Sequence, residues 1–230
     1  MDATVFHGSP RKGNTYIATM IFTEELEKLG YVNITEYQLP QAMPEFCTGC
    51  QMCLGNPNNS CPHAEYVEPI LESILKSDAL IFATPHYASN MSGAMKNLLD
   101  HLDFLTMNVA PRKEIFQKRA FIISTGTGSV AATKLIRRFL MNWGLNRVNS
   151  VGIRMFTDKW EKMPIKKQAR IDRKLRKAAN RFFNAKIKRP RISSIFMYQL
   201  FKFIIKRYIG EGNYPFEYWK EQGYFAKRPY

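Results

Sequence analysis

The stretch GSPRKGNT, residues 8–15, lies between a short apolar run at residues 3–6 and a helical pattern that begins near Thr15. This order predicts a strand, a tight polar loop and the start of a helix. A helix N-terminus presents unpaired backbone N–H groups at the positive end of its dipole, which suits a dianionic phosphate. The loop adds hydrogen-bond donors on Ser9, Asn14 and Thr15. It also adds the planar, charged guanidinium of Arg11 and a glycine, Gly13, that is free to take a positive φ. An ordinary turn with a helix cap is the alternative interpretation.

The spacing within residues 8–15 excludes two familiar nucleotide loops. It matches neither GxxxxGK[ST], the phosphate loop of many ATPases, nor GxGxxG, the loop of standard dinucleotide folds. The sequence therefore indicates a site for a mononucleotide phosphate.

Strand and helix patterns alternate five times in the first 155 residues. Strands are predicted at residues 3–6, 31–39, 79–84, 119–125 and 148–155, and helices at residues 15–30, 66–76, 90–104 and 131–143. Right-handed crossovers then give an α/β fold with a doubly wound, five-stranded parallel sheet in the order 2-1-3-4-5. Its ligand crevice is expected beyond the carboxyl ends of the strands, where the loops at residues 8–15, 85–92 and 126–129 meet.

The second and third loops have side chains that suit a planar ring. In PHYASNMSG, Tyr87 offers a flat face, and Asn90 and Ser92 offer hydrogen bonds to ring carbonyls. In TGTGS, Gly126 and Gly128 allow the backbone to approach a ligand closely. A strand-end aromatic residue and a simple turn are the alternatives for each loop taken singly.

Two motifs resemble one known family. GSPR…GNT after the first strand and TPHYASNMSGAMKNLLDHLDF after the third are similar to the phosphate loop and the flavin-ring loop of the flavodoxin-like NAD(P)H-dependent FMN reductases. The resemblance implies an NAD(P)H oxidoreductase in which the flavin carries the chemistry and electrons pass to a small acceptor or partner protein. It implies FMN bound by Ser9, Arg11, Gly13, Asn14, Thr15, Pro85, His86, Tyr87, Asn90, Met91, Thr125, Gly126 and Thr127.

All four cysteines lie in one segment, PEFCTGCQMCLGNPNNSCPH, with the spacing CxxCxxC followed by seven residues and a fourth cysteine. Short spacing in a cytosolic chain indicates a metal or redox site more than a disulfide framework. The motif resembles that of iron–sulfur flavoproteins, a branch of the same family, which implies a [4Fe–4S] cluster beside the FMN on Cys47, Cys50, Cys53 and Cys61. Zinc, free thiols or a redox-active pair of cysteines remain the alternatives. His63 is a fifth candidate ligand, although a lone His after Cys-Pro is more often solvated, and His101 shows no functional pattern.

Charge divides the 230-residue chain into two parts. Residues 1–153 carry 13 basic and 13 acidic side chains, whereas residues 154–230 carry 21 and six, so the net charge of +15 lies in the last third. We expect an FMN-binding domain at residues 1–155, with a Cys-rich insertion at 44–63, and a basic, aromatic-rich helical extension at 156–230. The N-terminus shows no secretory signal pattern, which predicts a cytoplasmic protein.

Residues 195–209 of the basic third are strongly apolar but too short and too charged for a secure membrane span. The expected role of the segment is packing on the core or in a homo-oligomer, with peripheral contact to an anionic membrane as the alternative. Nucleic acid ranks below a membrane surface and below an anionic redox substrate or cofactor such as NADPH, because no nucleic-acid-binding motif accompanies the charge. Three functions therefore remain: a reductase, an electron carrier without NAD(P)H activity, and a membrane- or nucleic-acid-docking module on a flavodoxin scaffold.

Overall fold

A parallel sheet forms the centre of the molecule. The computed structural model describes residues 1–55, 61–185 and 192–229. Five parallel strands run in the order β2-β1-β3-β5-β6, and these are β1 (Asp2–His7), β2 (Asn33–Gln38), β3 (Ala79–Tyr87), β5 (Arg119–Thr125) and β6 (Arg147–Ile153). This path confirms the predicted order and the α/β class. Central strands β3 and β5 are buried almost throughout, as expected of strands covered on both faces.

The sheet has six strands and not the predicted five. The additional strand β4 (Asn90–Met91) pairs antiparallel with the end of β3, where Ala88 and Ser89 take positive φ values of 44° and 63°. A helix predicted from residue 90 was therefore wrong at its start. Helix α5 begins at Gly93, because the Ser92 hydroxyl accepts a hydrogen bond from the backbone N–H of Met95 and so caps it.

Helices cover both faces of the sheet. They are α1 (Asn14–Leu29), α2 (Leu39–Ala42), α3 (Met52–Gly55), α4 (Ala64–Lys76), α5 (Gly93–His101), α6 (Lys113–Phe116), α7 (Ser129–Asn142), α8 (Ile165–Phe183), α9 (Ile192–Ile204) and α10 (Tyr214–Glu221). Alternate strand residues point to opposite cores: Phe82 packs with α4, α5 and α7, whereas Ile81 packs with α1 and α8. The arrangement is doubly wound, as predicted.

Helix α8 is the cationic amphipathic helix that the sequence indicates for the basic third. Its apolar stripe lies against α1, with Phe182 packed edge-on to Phe121 at a centroid distance of 5.5 Å. Burying one such aromatic side chain contributes about 1.5–3 kcal/mol. The sequence predicts this helical pattern over residues 160–189, but residues 160–162 form a separate 3-10 turn and residues 186–189 lie outside the described part of the chain.

The last described residues pack on the other core. Helix α9 continues into a π-helical turn at Ile205–Ile209, and an aromatic strap follows at residues 214–225. The strap packs through Trp219, whose ring stacks on Tyr198 at 4.9 Å, and α10 lies against α3 in the cysteine segment. Among the described residues, we find no helix with the length and hydropathy needed to cross a bilayer.

Candidate functional site

A cavity of about 540 Å³ opens at the carboxyl ends of the strands. Three segments predicted to meet there do so: the loop at residues 8–15, the end of β3 and the end of β5. Ten of the predicted residues line the cavity: Ser9, Arg11, Gly13, Asn14, Thr15, Pro85, His86, Tyr87, Thr125 and Gly126. The crossing of the chain between β1 and β3 therefore creates the crevice, as expected for a doubly wound sheet.

The loop at residues 8–15 places the N-terminus of α1 at this cavity, and no side chain caps that end of the helix. Gly13 occupies the N-cap position of α1 with no side-chain hydrogen bond, so the first N–H groups of the helix have no capping side chain. The prediction of a positive φ at Gly13 was wrong, since its φ is −98°. A Cβ there would meet no atom within 4 Å, so this glycine leaves open space in front of the helix end.

Hydrogen bonds hold the loop in place from two sides. The Thr15 hydroxyl lies 2.7 Å from the hydroxyl of Thr125 at the end of β5, and both residues are buried. The Asn14 amide Nδ2 donates to the carbonyl oxygen of Thr157 at 2.9 Å. Within the loop, the Ser9 hydroxyl donates to the carbonyl of Arg11 and accepts from its N–H. Ser9 therefore shapes the loop in addition to lining the cavity.

His86 connects the second and third loops. Its Nδ1 accepts a hydrogen bond of 3.1 Å from the backbone N–H of Gly128, which places the ring proton of the neutral imidazole on Nε2. A Cβ on Gly128 would lie 2.3 Å from the ring, so only glycine fits at this position without moving His86. Gly126 takes a φ of 123°, a backbone conformation that favours glycine. These two glycines let β5 turn directly beneath the β3 loop.

His7 is buried at the end of β1, directly before the loop at residues 8–15. Burial lowers the pKa of its imidazole, and Lys12 acts in the same direction, while Glu36, 3.5 Å from Nε2, opposes them. The ring packs on Tyr16 at a centroid distance of 5.2 Å. A neutral His7 therefore supports the loop without adding charge to it.

The four cysteines line a second, small cavity of about 20 Å³, together with His63 and His101. Cys47 and Cys50 are exposed, whereas Cys53 and Cys61 are half-buried, and burial raises the pKa of both half-buried thiols. Positive φ values at Gly49 (67°) and Gln51 (59°) turn the chain between the first three cysteines.

Asn97 on α5 anchors the beginning of the cysteine segment. Its side-chain oxygen accepts from the N–H of Cys47 at 3.0 Å, and its amide donates to the carbonyls of Met43 and Glu45 at 3.2 and 2.8 Å. The end of the segment is tied to the same helix, because His63 Nδ1 lies 3.0 Å from Nε2 of the buried His101. Helix α5 therefore positions both ends of the motif.

Comparisons with known proteins assign the fold and the family. A family model for NADPH-dependent FMN reductases matches residues 1–158. The chain belongs to this family. The family is described as NADPH-dependent FMN reductases.

Two relatives from Archaeoglobus fulgidus are both named iron-sulfur flavoprotein. One is 30% identical over 50% of this chain and 56% of its own length, so the match spans little more than half of that relative. The other is 25% identical over 97% of this chain and the whole relative. An NAD(P)H:quinone oxidoreductase from Methanothermobacter marburgensis shares the fold, with a TM-score of 0.65 at 14% identity over 80% of this chain and 98% of that one.

The large cavity of this FMN reductase family member has the donor set that the cofactor needs. Its lining includes the uncapped helix N-terminus with Arg11 and Lys12, which suits a dianionic phosphate. It also includes Pro85, Tyr87 and Trp160, which suit a flat ring. The residues present therefore fit FMN.

Three predicted cofactor residues do not line this cavity. Asn90 is exposed and its side-chain oxygen accepts from the N–H of Met91, Met91 is buried in the core, and Thr127 lies on an exposed turn. Conversely, sequence analysis missed the segment after β6, in which Thr157, Lys159 and Trp160 form one wall. Its position after the carboxyl end of a strand was the available signal. The predicted domain boundary at residues 155 and 156 falls within this wall.

Loss of the contact between His86 and Gly128 is expected to weaken FMN binding. A His86→Ala variant leaves the Gly128 N–H without its partner, and one hydrogen bond contributes about 0.5–1.5 kcal/mol, or roughly a two- to tenfold change in affinity. A fluorescence titration of apoprotein with FMN measures this change. His86→Asn should restore binding, because its side-chain oxygen replaces Nδ1 as acceptor. Unchanged affinity in His86→Ala would contradict the role of this contact.

Proposed function

We propose that this chain transfers electrons from NAD(P)H, through FMN in the large cavity, to a small acceptor or a partner protein, with an iron–sulfur centre on the four cysteines as the exit. The observation that carries the proposal is the pairing of an uncapped, cation-flanked helix end with an aromatic wall in one cavity. The names of the relatives support the iron–sulfur part.

At the phosphate end, the chain supplies a rigid set of donors. We assign the phosphate to the first N–H groups of α1, the Thr15 hydroxyl, the Asn14 amide and the Arg11 guanidinium, and to the Ser9 hydroxyl once it rotates away from the carbonyl of Arg11. Because Thr15 and Asn14 are already held by Thr125 and Thr157, these side chains lose little conformational freedom when a ligand binds. Charge-assisted bonds to phosphate are stronger than neutral ones.

At the ring end, Pro85, Tyr87, Thr125 and Gly126 border the space for a planar heterocycle. FMN, when bound, supplies hydride acceptance and onward electron transfer. The chain orients the ring and shields it with the aromatic side chains of Tyr87 and Trp160, which both line the cavity. Lys12 and Lys159 at the cavity attract the phosphates of the nicotinamide nucleotide.

The cysteine geometry favours a centre larger than a single zinc ion. Four thiolates around one tetrahedral zinc lie about 3.8 Å apart, given a Zn–S bond of about 2.3 Å. The four cysteines line one cavity, but among the described residues they do not form a group with all sulfur atoms within 4.8 Å. We therefore assign Cys47, Cys50, Cys53 and Cys61 to a [4Fe–4S] cluster, with the exposed Cys47 and Cys50 moving outward to admit it.

Two partner assignments stay predictions. Helix α9 exposes an apolar stripe formed by Ile192, Phe196, Leu200 and Phe203, with Lys206 and Arg207 in the following turn. This surface agrees with contact to a second copy or to an anionic membrane.

Reconstitution of the full chain tests the proposal. Protein mixed with FMN and desalted should keep the flavin absorption bands, and anaerobic stopped-flow mixing with NADPH or NADH should bleach them. Loss of bleaching with both nucleotides would leave only an electron carrier. Iron and acid-labile sulfide analysis on anaerobically prepared protein tests the cluster, and zinc without sulfide would reject it.

A matched pair of arginine variants locates the phosphate. Arg11→Gln is expected to bind FMN about tenfold more weakly, because a hydrogen bond to a charged group contributes about 1.5 kcal/mol or more. Arg170→Gln, on the exposed face of α8, is the control and should bind as wild type does. Equal affinities in the two variants would contradict the assignment.

A further inference from the structure

At the end of the cysteine segment, two neighbouring side chains, Cys61 and His63, meet a third from α5, His101. Cys61, His63 and His101 each offer a ligand atom, and these atoms all lie within 4.8 Å of one another. His63 is half-buried and bonded to the buried His101, so the solvated state predicted for His63 was wrong. This group differs from the set of four cysteines, since Cys61 is the one residue that belongs to both.

The hydrogen bonds determine where the histidine lone pairs lie. His101 Nδ1 is 3.0 Å from the backbone carbonyl of Asn97, which only accepts, so Nδ1 carries the proton. Nε2 of His101 therefore has a lone pair, and it faces Nδ1 of His63 at 3.0 Å. A histidine that donates one ring N–H to a backbone carbonyl, and so keeps a lone pair on its other nitrogen, has the orientation typical of a metal ligand.

The distances match a single tetrahedral ion. With Zn–N bonds of about 2.0–2.1 Å, two imidazole nitrogens lie about 3.4 Å apart, and a thiolate sulfur lies about 3.6 Å from each. The observed nitrogen separation of 3.0 Å therefore needs a shift of a few tenths of an ångström. The cavity of about 20 Å³ holds roughly one water molecule, and thus one ion, without any movement of the loop.

We propose that Cys61, His63 and His101 form a second metal site, which binds one divalent ion of zinc-like chemistry when the cluster is absent. Binding releases the thiol proton of Cys61 to solvent and moves the ring proton of His63 from Nδ1 to Nε2. The fourth coordination position stays open to solvent. Because Cys61 serves both sites, the ion and the [4Fe–4S] cluster exclude each other, and the ion fastens the end of the cysteine segment to α5.

Cobalt binding to the full chain, purified without iron and sulfide, tests this site, since tetrahedral Co²⁺ gives visible absorption and stands in for Zn²⁺. Wild-type protein should bind one Co²⁺, which added Zn²⁺ displaces. His63→Gln, His101→Gln and Cys61→Ser should each weaken Co²⁺ binding by about 100-fold or more, since even outer-shell changes cost 10–100-fold. Cys47→Ser is the matched control and should bind Co²⁺ as wild type does.

Two outcomes would overturn the inference. One is Co²⁺ binding that is lost in Cys47→Ser and kept in both histidine variants, which indicates a tetrathiolate site. The other is no tetrahedral Co²⁺ spectrum in the wild type. Because His101 is buried, circular dichroism checks its variant, and His63→Gln, at a half-buried position, gives an independent reading. Cluster assembly is scored separately: iron–sulfide reconstitution should fail in Cys47→Ser and succeed in His101→Gln, and its failure in wild type would reject the cluster alone.

Discussion

An alanine in place of Trp219 is expected to lower the free energy of unfolding by about 3–5 kcal/mol, the usual cost of removing a large buried aromatic side chain. Trp219 is fully buried in the aromatic strap, with its ring 4.9 Å from Tyr198 and 6.1 Å from Tyr224. At about 2–4 °C per kcal/mol for a chain of this size, the melting temperature should fall by roughly 6–20 °C. Thermal and urea denaturation followed by circular dichroism measures the effect.

Trp219→Phe is the control for this variant. The indole Nε1 is buried without a hydrogen-bond partner, so a phenyl ring keeps most of the packing and removes an unsatisfied N–H. We expect a change of about 1.5 kcal/mol or less. A free energy of unfolding for Trp219→Ala within 1 kcal/mol of the wild-type value would show that the strap does not stabilise the core as its burial indicates.

Gly8→Ala is expected to cost about 2–4 kcal/mol of stability and to reduce FMN binding at least tenfold. A Cβ at this position would lie 2.6 Å from Ser92 Oγ and 3.1 Å from Met95 Cβ. Overpacking costs about 1–3 kcal/mol, and displacing the Ser92 hydroxyl removes the cap of α5, worth about 1 kcal/mol. Because Gly8 begins the phosphate loop, relief of the clash moves the loop. Denaturation and FMN titration measure the two effects.

Gly13→Ala separates the two effects, since a methyl group there meets no protein atom. Its stability should stay within about 0.5 kcal/mol of wild type, while FMN affinity falls because the methyl group occupies the approach to the helix end. Full FMN affinity in Gly13→Ala would show that the phosphate does not bind at this helix end.

The sequence was sufficient to predict the sheet and the edge at which the site lies. Strands such as β3 and β5 are apolar without alternation, because both of their faces are covered, and their carboxyl ends are marked by polar, glycine-containing loops. The loop at residues 8–15 and the glycine at position 126 follow directly from that order, whereas His86 was implied only by the family resemblance. Local pattern and global fold agree in this part of the chain.

Contacts between segments that are distant in the chain could not be predicted from the sequence. The wall at Thr157 and Trp160 has no regular pattern, and it depends on a hydrogen bond from Asn14, far away in the chain. The pair of His63 and His101 likewise joins α4 to α5. Strand β4 was missed because a two-residue strand is too short for periodicity to reveal. Each failure concerns a contact that exists only after the chain has folded.

The position of α10 against α3 has a consequence for the order in which the protein is made. Cys61, the last residue of the four in the cysteine segment, leaves the ribosome more than 150 residues before Tyr214, where α10 begins. At a synthesis rate of about 5–20 residues per second, this interval lasts roughly 8–30 s. During that time the nascent chain presents its thiols without the helix that packs beside them. Loading of the metal centre that we propose there, in its final environment, is therefore expected to be a post-translational step.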